Sequence, residues 1–159
     1  MITEDIKIQP YEDFEYKQFV DMFYSYFLYD LEMEIEYSQI EEVCSDIVES
    51  AKKRVIFFDL LIIDGNPKGF IIYQIDSPES DWCQKIGFGF IREIFIEHDC
   101  RKKGFGKLLV SHAEEILKSM NVKEIYLTSD NEKFWIKCGY MKTDEKGYKN
   151  QEPIYIKRL

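Results

Sequence analysis

Histidine is scarce in this chain, with two in 159 residues, and the four cysteines, Cys44, Cys83, Cys100 and Cys138, never fall in a CxxC pair. That spacing does not resemble a zinc site, so no metal is expected. The N-terminus is charged and lacks the apolar stretch of a secretory signal, and the cysteines are read as free thiols of a cytoplasmic protein. No apolar run approaches the roughly 20 residues that a membrane-crossing helix needs. Positive charge is also short: 21 Lys and Arg face 30 Asp and Glu, for a net charge of −9. Such a surface repels phosphate backbones and anionic membranes, which argues against nucleic-acid and membrane partners. It suits a cationic partner such as an amine, and it also simply keeps a protein soluble. Neither GxxxxGK[ST] nor GxGxxG occurs, so neither a P-loop nor a dinucleotide fingerprint is present.

Apolar and aromatic residues, by contrast, are plentiful. Hydrophobic residues make up 45% of the chain and aromatics 16%, enough for one core over residues 1–159 read as a single domain. The pattern predicts a short strand at Ile6–Pro10. A helix follows from Asp13 to about Met33, with Phe14, Phe19, Met22, Phe23, Tyr26, Phe27 and Leu31 at helical spacing. Ser38 and Glu41 form a candidate capping box for a second helix running to about Lys53. Arg54–Asp64 and Gly69–Asp76 read as a hairpin broken at Gly65-Asn66-Pro67-Lys68, and Ile86–Glu97 as a third long strand containing Gly87 and Gly89. Next come a helix at Gly104–Met120, a strand at Glu124–Thr128 and a short helix at Asn131–Cys138 stopped by Gly139. Two closing strands, Tyr140–Thr143 and Pro153–Lys157, end the chain. The order β-α-α-β-β-β-α-β-α-β-β implies a mixed α/β domain with helices on both faces of a central sheet.

The third long strand runs into the next helix through Ile94-Phe95-Ile96-Glu97-His98-Asp99-Cys100-Arg101-Lys102-Lys103-Gly104-Phe105-Gly106-Lys107. The first turn of a helix leaves backbone N–H groups without partners, and its dipole favours an anion. Gly104 and Gly106 leave room for a phosphate to approach. Arg101, Lys102, Lys103 and Lys107 gather positive charge in an acidic chain.

Arg-x-x-Gly-x-Gly between a strand and a helix resembles the acetyl-CoA signature of the GNAT N-acetyltransferase superfamily. The order of elements is similar over nearly the whole chain. So is the aromatic helix that ends in Gly-aromatic, Phe134-Trp135-Ile136-Lys137-Cys138-Gly139-Tyr140. The resemblance implies a mostly antiparallel sheet with one splayed parallel strand pair and acetyl-CoA as co-substrate. The amides of Arg101 to Lys107 would cradle the CoA pyrophosphate. Ile94-Phe95-Ile96 would pair with the pantetheine arm, with the Ile94 N–H as oxyanion donor. The strand from Glu124 would form the other wall, and Asn131 would touch the pantetheine. Relatives are often dimers, and Ile154-Tyr155-Ile156 is a candidate surface for a homodimer or, equally, an edge strand of the core.

Two positions depart from the family pattern. Trp135 stands where many relatives carry a tyrosine acid, which leaves Tyr140, Tyr148 or solvent to protonate the thiolate. Arg92 stands where a Glu or His base is common. Glu93 is then the candidate base, although neighbouring strand residues face opposite sides unless a bulge, placed here near Gly87 and Gly89, re-aims one of them. Arg92 could instead hold an acidic group of the acceptor. Tyr26, Tyr29 and Asp30, among the aromatics and acids at the end of the first helix, with Trp82 as a lid, are the candidate acceptor-binding residues. His98 and His112 read as surface residues. The implied activity is direct acetyl transfer to a primary amine of a small molecule. A non-catalytic acyl-CoA sensor and an enzyme acting on protein or peptide amines stay open.

Overall fold

The computed structural model describes residues 4–159. One seven-stranded sheet, in the order β1-β2-β3-β4-β5-β7-β6, takes in strands from β1 (Ile6–Pro10) to β7 (Pro153–Arg158). Between them lie β2 (Phe57–Ile63), β3 (Asn66–Ile75), β4 (Gly89–Ile96), β5 (Glu124–Thr128) and β6 (Met141–Lys146). All neighbours are antiparallel except β4 and β5, which run parallel. Because successive side chains of β2 and β3 alternate, each strand feeds two cores. Phe58, Leu60, Ile62, Phe70 and Ile72 pack under α1 (Tyr16–Ser25) and α2 (Tyr37–Lys52). Leu61, Ile63, Ile71 and Tyr73 pack on the opposite face against α3 (Phe105–Ser119), with Trp135 of α4 (Glu132–Lys137). The element order and the two-faced arrangement are as the sequence implied.

Details differ for local reasons. The first helix stops short of Met33. It opens with a 3-10 turn at Asp13–Glu15, where Phe14 is 74% exposed, and ends in a π turn over Tyr26–Asp30. The second helix begins two residues early, at Tyr37, and Glu36 is its N-cap. Gln39 Oε1 accepts the Glu36 N–H at 3.0 Å, so Ser38 and Glu41 do not form the box. His112 is not a free surface residue. Its Nε2 lies 3.0 Å from the buried Asp59 carboxylate, which also accepts from Tyr73 Oη at 2.6 Å, and the pair pins α3 to the sheet. The Ile154-Tyr155-Ile156 stretch lies on β7, between β5 and β6, with Ile154 and Tyr155 fully buried. It is core and not an open dimer face.

Gly69 shows how tightly β3 meets β4. A Cβ there would lie 2.6 Å from the Phe95 carbonyl oxygen and 2.9 Å from Ile96 Cδ1. Gly69→Ala should therefore force the two strands apart and destabilise the fold by about 1–3 kcal/mol. Urea unfolding monitored by circular dichroism measures this, and an unchanged midpoint would contradict it.

Candidate active site

The parallel pair is short. Only Gly89 with Ile125 and Phe90 with Tyr126 are in register. Their apex is held by the Phe90 and Tyr126 rings, stacked at 4.6 Å. Beyond it β4 follows β3 and β5 follows β7. A cleft of about 860 Å³ opens between them, lined by Ile91–Ile96 on one side, Leu127–Asn131 on the other and the start of α3. The Glu97 N–H donates to the Lys68 carbonyl at 2.8 Å. Antiparallel ladders alternate, so the Ile94 and Ile96 N–H groups face away from β3, toward the cleft. The Ile96 carbonyl, on that same edge, accepts from Arg101 Nε at 2.7 Å.

The loop into α3 turns through left-handed conformations at Lys102 (φ 64°) and Gly104 (φ 85°). Gly104 serves that geometry. Gly106 serves packing, since a Cβ there would meet the Phe134 ring at 3.0 Å. The first helical hydrogen bond runs from the Leu108 N–H to the Gly104 carbonyl, and no side chain caps the helix. The Phe105, Gly106 and Lys107 amides are therefore without helical partners at the cleft.

Arg101 is a brace rather than a free cation. Its guanidinium grips Asp30 at 2.8 and 2.7 Å and lies over the Phe95 ring. Lys103 does not line the cleft, whereas Lys102, Lys107, Lys133 and Lys137 do, and none of these four is ion-paired among the described residues. Lys133 and Lys137 escaped the sequence reading. Their signal was i,i+4 spacing on α4, which meant nothing until α4 was placed beside α3.

A second pocket of about 430 Å³ adjoins the first. It is lined by aromatics including Phe27, Trp82 and Phe90, by the acids Asp46 and Asp81, and by Arg92 and Glu93, which also line the larger cleft. A bulge makes this sharing possible. Ile72 pairs with Glu93 and Tyr73 with Ile91, leaving Arg92 as the extra residue of β4. Arg92 and Glu93 therefore share a face although they are neighbours in sequence. The bulge falls at Arg92 itself and not at Gly87 or Gly89.

Burial pushes the Glu93 carboxyl up to about 7, against the opposing pull of a hydrogen bond from Tyr26 Oη and of the Arg92 charge. Arg92 donates to Gln74 Oε1 at 3.3 Å. Gln74 Nε2 in turn donates to Asp76 Oδ1 at 2.8 Å and to the Asp81 carbonyl at 3.0 Å. The other Asp76 oxygen, Oδ2, accepts the Gln84 and Lys85 amides, each at 3.0 Å, and the Tyr126 hydroxyl. Buried Asp76 thus holds the loop that carries Asp81 and Trp82.

The candidate acceptor residues separate. Tyr26 contacts Glu93 and lines the larger cleft, and Asp30 lines that cleft too, paired with Arg101 instead of facing the smaller pocket. Tyr29 is 64% exposed and lines neither cavity. Trp82 lines the smaller pocket, with Lys149 Nζ 3.6 Å from its ring centroid. Asn131 caps α4, its Oδ1 accepting from the Phe134 N–H at 3.4 Å, and lines the cleft. Trp135 is buried between Phe134 and Tyr140. The Tyr140 hydroxyl is taken by Glu114 at 2.9 Å, and Tyr148 is exposed.

The model of the acetyltransferase (GNAT) family matches residues 16–140. The chain belongs to that family. It is an acetyl-CoA-dependent acetyltransferase, and acetyl-CoA is its co-substrate. Among solved structures it is similar to a GNAT-family acetyltransferase from Staphylococcus aureus Mu50 at 17% identity and a TM-score of 0.78, covering 98% of this chain and 99% of that one. The PaiA N-acetyltransferase from Thermoplasma acidophilum, solved in complex with coenzyme A, shares 19% identity at a TM-score of 0.73, over 98% and 99% of the two chains. The ribosomal-protein-S5-alanine acetyltransferase from Vibrio fischeri shares 14% at 0.72, over 99% and 95%. No curated protein matches. These likenesses establish the fold, while the acceptor is a matter for the geometry of this acetyltransferase.

Two predictions follow from that geometry. Replacing Lys133 and Lys137 together by Gln should weaken CoA binding about tenfold or more at low salt and flatten its salt dependence, as calorimetry across a salt series would show. Asp76→Asn turns an amide N–H₂ toward donors. The loop at residues 77–87 should then exchange its amides faster while CoA affinity stays within about twofold, as hydrogen exchange and calorimetry on one preparation would show.

Proposed function

We propose that the chain, acting as one domain, transfers the acetyl group of acetyl-CoA directly to a primary amine of a small molecule. The observation that carries this is the meeting of the two cavities at Arg92 and Glu93, where a carboxyl is held near 7. Donor and acceptor would enter from opposite sides and face each other there, which is what direct transfer requires.

The cofactor cleft fits CoA by its own features. Its amide edge on β4 is free to pair with the pantetheine arm, and the uncapped start of α3 offers N–H groups to the pyrophosphate. Lys102, Lys107, Lys133 and Lys137 supply the charge. The Ile94 N–H is the oxyanion donor, placed to stabilise charge on the thioester oxygen. Glu93 takes a proton from the acceptor nitrogen. A base near 7 is half-ionised at neutral pH, which suits that task.

A small acceptor is favoured because the loop that brings Asp81 and Trp82 to the smaller pocket is tied down. Gln84 Nε2 donates to the Lys146 carbonyl, the Tyr148 N–H donates to Gln84 Oε1, and Lys85 pairs with Glu145 at 2.8 Å, so the loops at residues 77–87 and 147–152 meet. An extended peptide would have to displace that tethered loop. Asp46 and Asp81 suit a cation, and the Trp82 ring beside them already holds the Lys149 ammonium 3.6 Å from its centroid. The cysteines, none in a disulfide, suit a reducing compartment such as the cytoplasm.

Acetyl-CoA should bind saturably, and Gly104→Glu, which places an anion in the left-handed turn, should abolish that binding. Calorimetric titration decides it, and equal affinity in the variant would sink the cradle. CoA release should appear with a member of a panel of polyamines, aminoglycosides, amino acids and peptides. Turnover with none would favour a sensor, and turnover with peptides alone a protein acetyltransferase.

The pH profile has a definite sign. Glu93 must be ionised to accept a proton, so activity should rise with pH through about 7. In Glu93→Gln that limb should vanish, and the rate should fall by a factor of about 10² or more. An unchanged profile would remove Glu93 from the mechanism.

A further inference from the structure

Acetyl transfer releases a thiolate as well as consuming an ammonium, and the position where family members commonly carry a tyrosine acid holds Trp135. Its indole is buried and is no acid at neutral pH. Thr128, Ser129, Cys100, Cys138 and Tyr26 are the hydroxyl and thiol side chains that line the cofactor cleft among the described residues. Of these, only Tyr26 is bonded to the carboxyl that faces both cavities: its hydroxyl donates to Glu93 Oε2. The Thr128 hydroxyl oxygen accepts from Asn150 Nδ2 at 2.9 Å, and burial pushes both thiols above their ordinary range.

The placement of Tyr26 is asymmetric in a useful way. It lines the cofactor cleft and not the smaller pocket, whereas Glu93 lines both. Tyr26 opens the π turn at Tyr26–Asp30, which ends α1 over β4. Its ring is wedged edge-on against Phe23, Phe70 and Phe95. Asp30, at the other end of the turn, is clamped by Arg101 at 2.8 and 2.7 Å. A single turn of helix therefore fixes the hydroxyl at the boundary between the cavities.

We propose that Tyr26 is the acid that protonates the departing CoA thiolate and that Glu93 reloads it. The inference rests on the amine-acetylation reading above. The amine nitrogen forms its bond to the thioester carbon as the C–S bond breaks and its electron pair goes to sulfur. The acceptor ammonium gives one proton to solvent before it attacks, and the second proton, shed by nitrogen as the amide forms, goes to the Glu93 carboxylate. The phenolic proton of Tyr26 goes to sulfur, and the proton on Glu93 passes along the hydrogen bond to the Tyr26 oxygen. One proton has gone from nitrogen to solvent and one from nitrogen to sulfur, and both side chains end as they began. The order is self-consistent. Burial and the ionised Glu93 hold the phenolic proton tightly, and once Glu93 is protonated the second of these restraints is gone.

Tyr26→Phe tests this against a purely structural role. CoA release from acetyl-CoA is measured with the best amine of the panel, and the same amine is then acetylated with the acetyl thioester of 4-nitrothiophenol, whose thiolate leaves without protonation. The variant should bind CoA as wild type does. It should turn over acetyl-CoA about 10–100-fold more slowly and use the activated thioester at close to the wild-type rate. An equal loss with both thioesters would reduce Tyr26 to a positioning residue and overturn the proposal, as would no loss with acetyl-CoA. Wild-type turnover separates the two readings. Where no amine releases CoA from the wild type, amine acetylation fails and the relay with it. Where wild type and variant turn over alike, only the relay fails.

Discussion

Strand β4 keeps its neighbour on one side and loses it on the other, and the chemistry of this protein is built on that half-paired edge. Backbone N–H and C=O groups in a protein interior demand partners. From Ile91 to Ile96 the β3 side supplies them while the β5 side does not. The Ile96 carbonyl takes the Arg101 Nε, which draws the loop before α3 against the end of the strand. The Ile94 amide keeps its donor facing the cleft. A donor held by a sheet ladder cannot relax away from the position where charge develops, and such preorganisation is what makes an oxyanion donor effective. The strand is rigid because of β3, and the missing β5 is what leaves its amides open to the cleft.

The extra residue at Arg92 adds the second constraint. Without it, Arg92 and Glu93 would face opposite helical layers and one of them would be stranded in a packed core. With it, both reach the boundary between the cavities, and each moderates the other. The Arg92 charge and the Tyr26 hydroxyl pull the Glu93 carboxyl down while burial pushes it up, and the balance lies near 7. Arg92 is itself restrained by Gln74, and Gln74 by Asp76, whose Oδ2 also receives the Tyr126 hydroxyl at the apex of the cleft. Gln74 of β3 and Asp76 just past its end thus hold Arg92, the loop that carries Asp81 and Trp82, and the parting of the strands in one network.

Much of this fold was legible because it depends on local pattern. Element order follows from periodicity. The basic loop before α3 stands out because unpaired amides, glycines and lysines coincide there. The rest was hidden because it depends on which elements meet. Nothing local at Arg92 marks a bulge; it is visible only when β3 and β4 are laid in register. Arg101 read as part of the basic phosphate loop, and its side-chain partner Asp30, seventy-one residues earlier, was not legible there. His112 read as a surface residue because its partner Asp59 lies on β2, fifty-three residues away. An aspartate inside the run Phe57-Phe58-Asp59-Leu60-Leu61 was a usable warning, since a charge in an apolar strand needs a counterpart. The Ile154-Tyr155-Ile156 stretch failed in the other direction. Apolar alternation marks a strand but does not say whether it lies at an edge.

Charge divides the two cavities as the reaction needs. The chain carries a net charge of −9, yet the cofactor cleft is rimmed by Lys102, Lys107, Lys133 and Lys137 without ion-pair partners among the described residues. The smaller pocket carries Asp46 and Asp81 with one arginine. The net charge repels an anionic donor while the lysine rim attracts it, and the same net charge attracts the cationic acceptor proposed for the smaller pocket. Either substrate on the wrong side would meet like charge in a partly dehydrated cavity, where screening is weakest. On the proposed reading the acidity of the whole chain sorts the substrates before any specific contact forms, and β4, with Glu93 lining both cavities, is where the pair would come together.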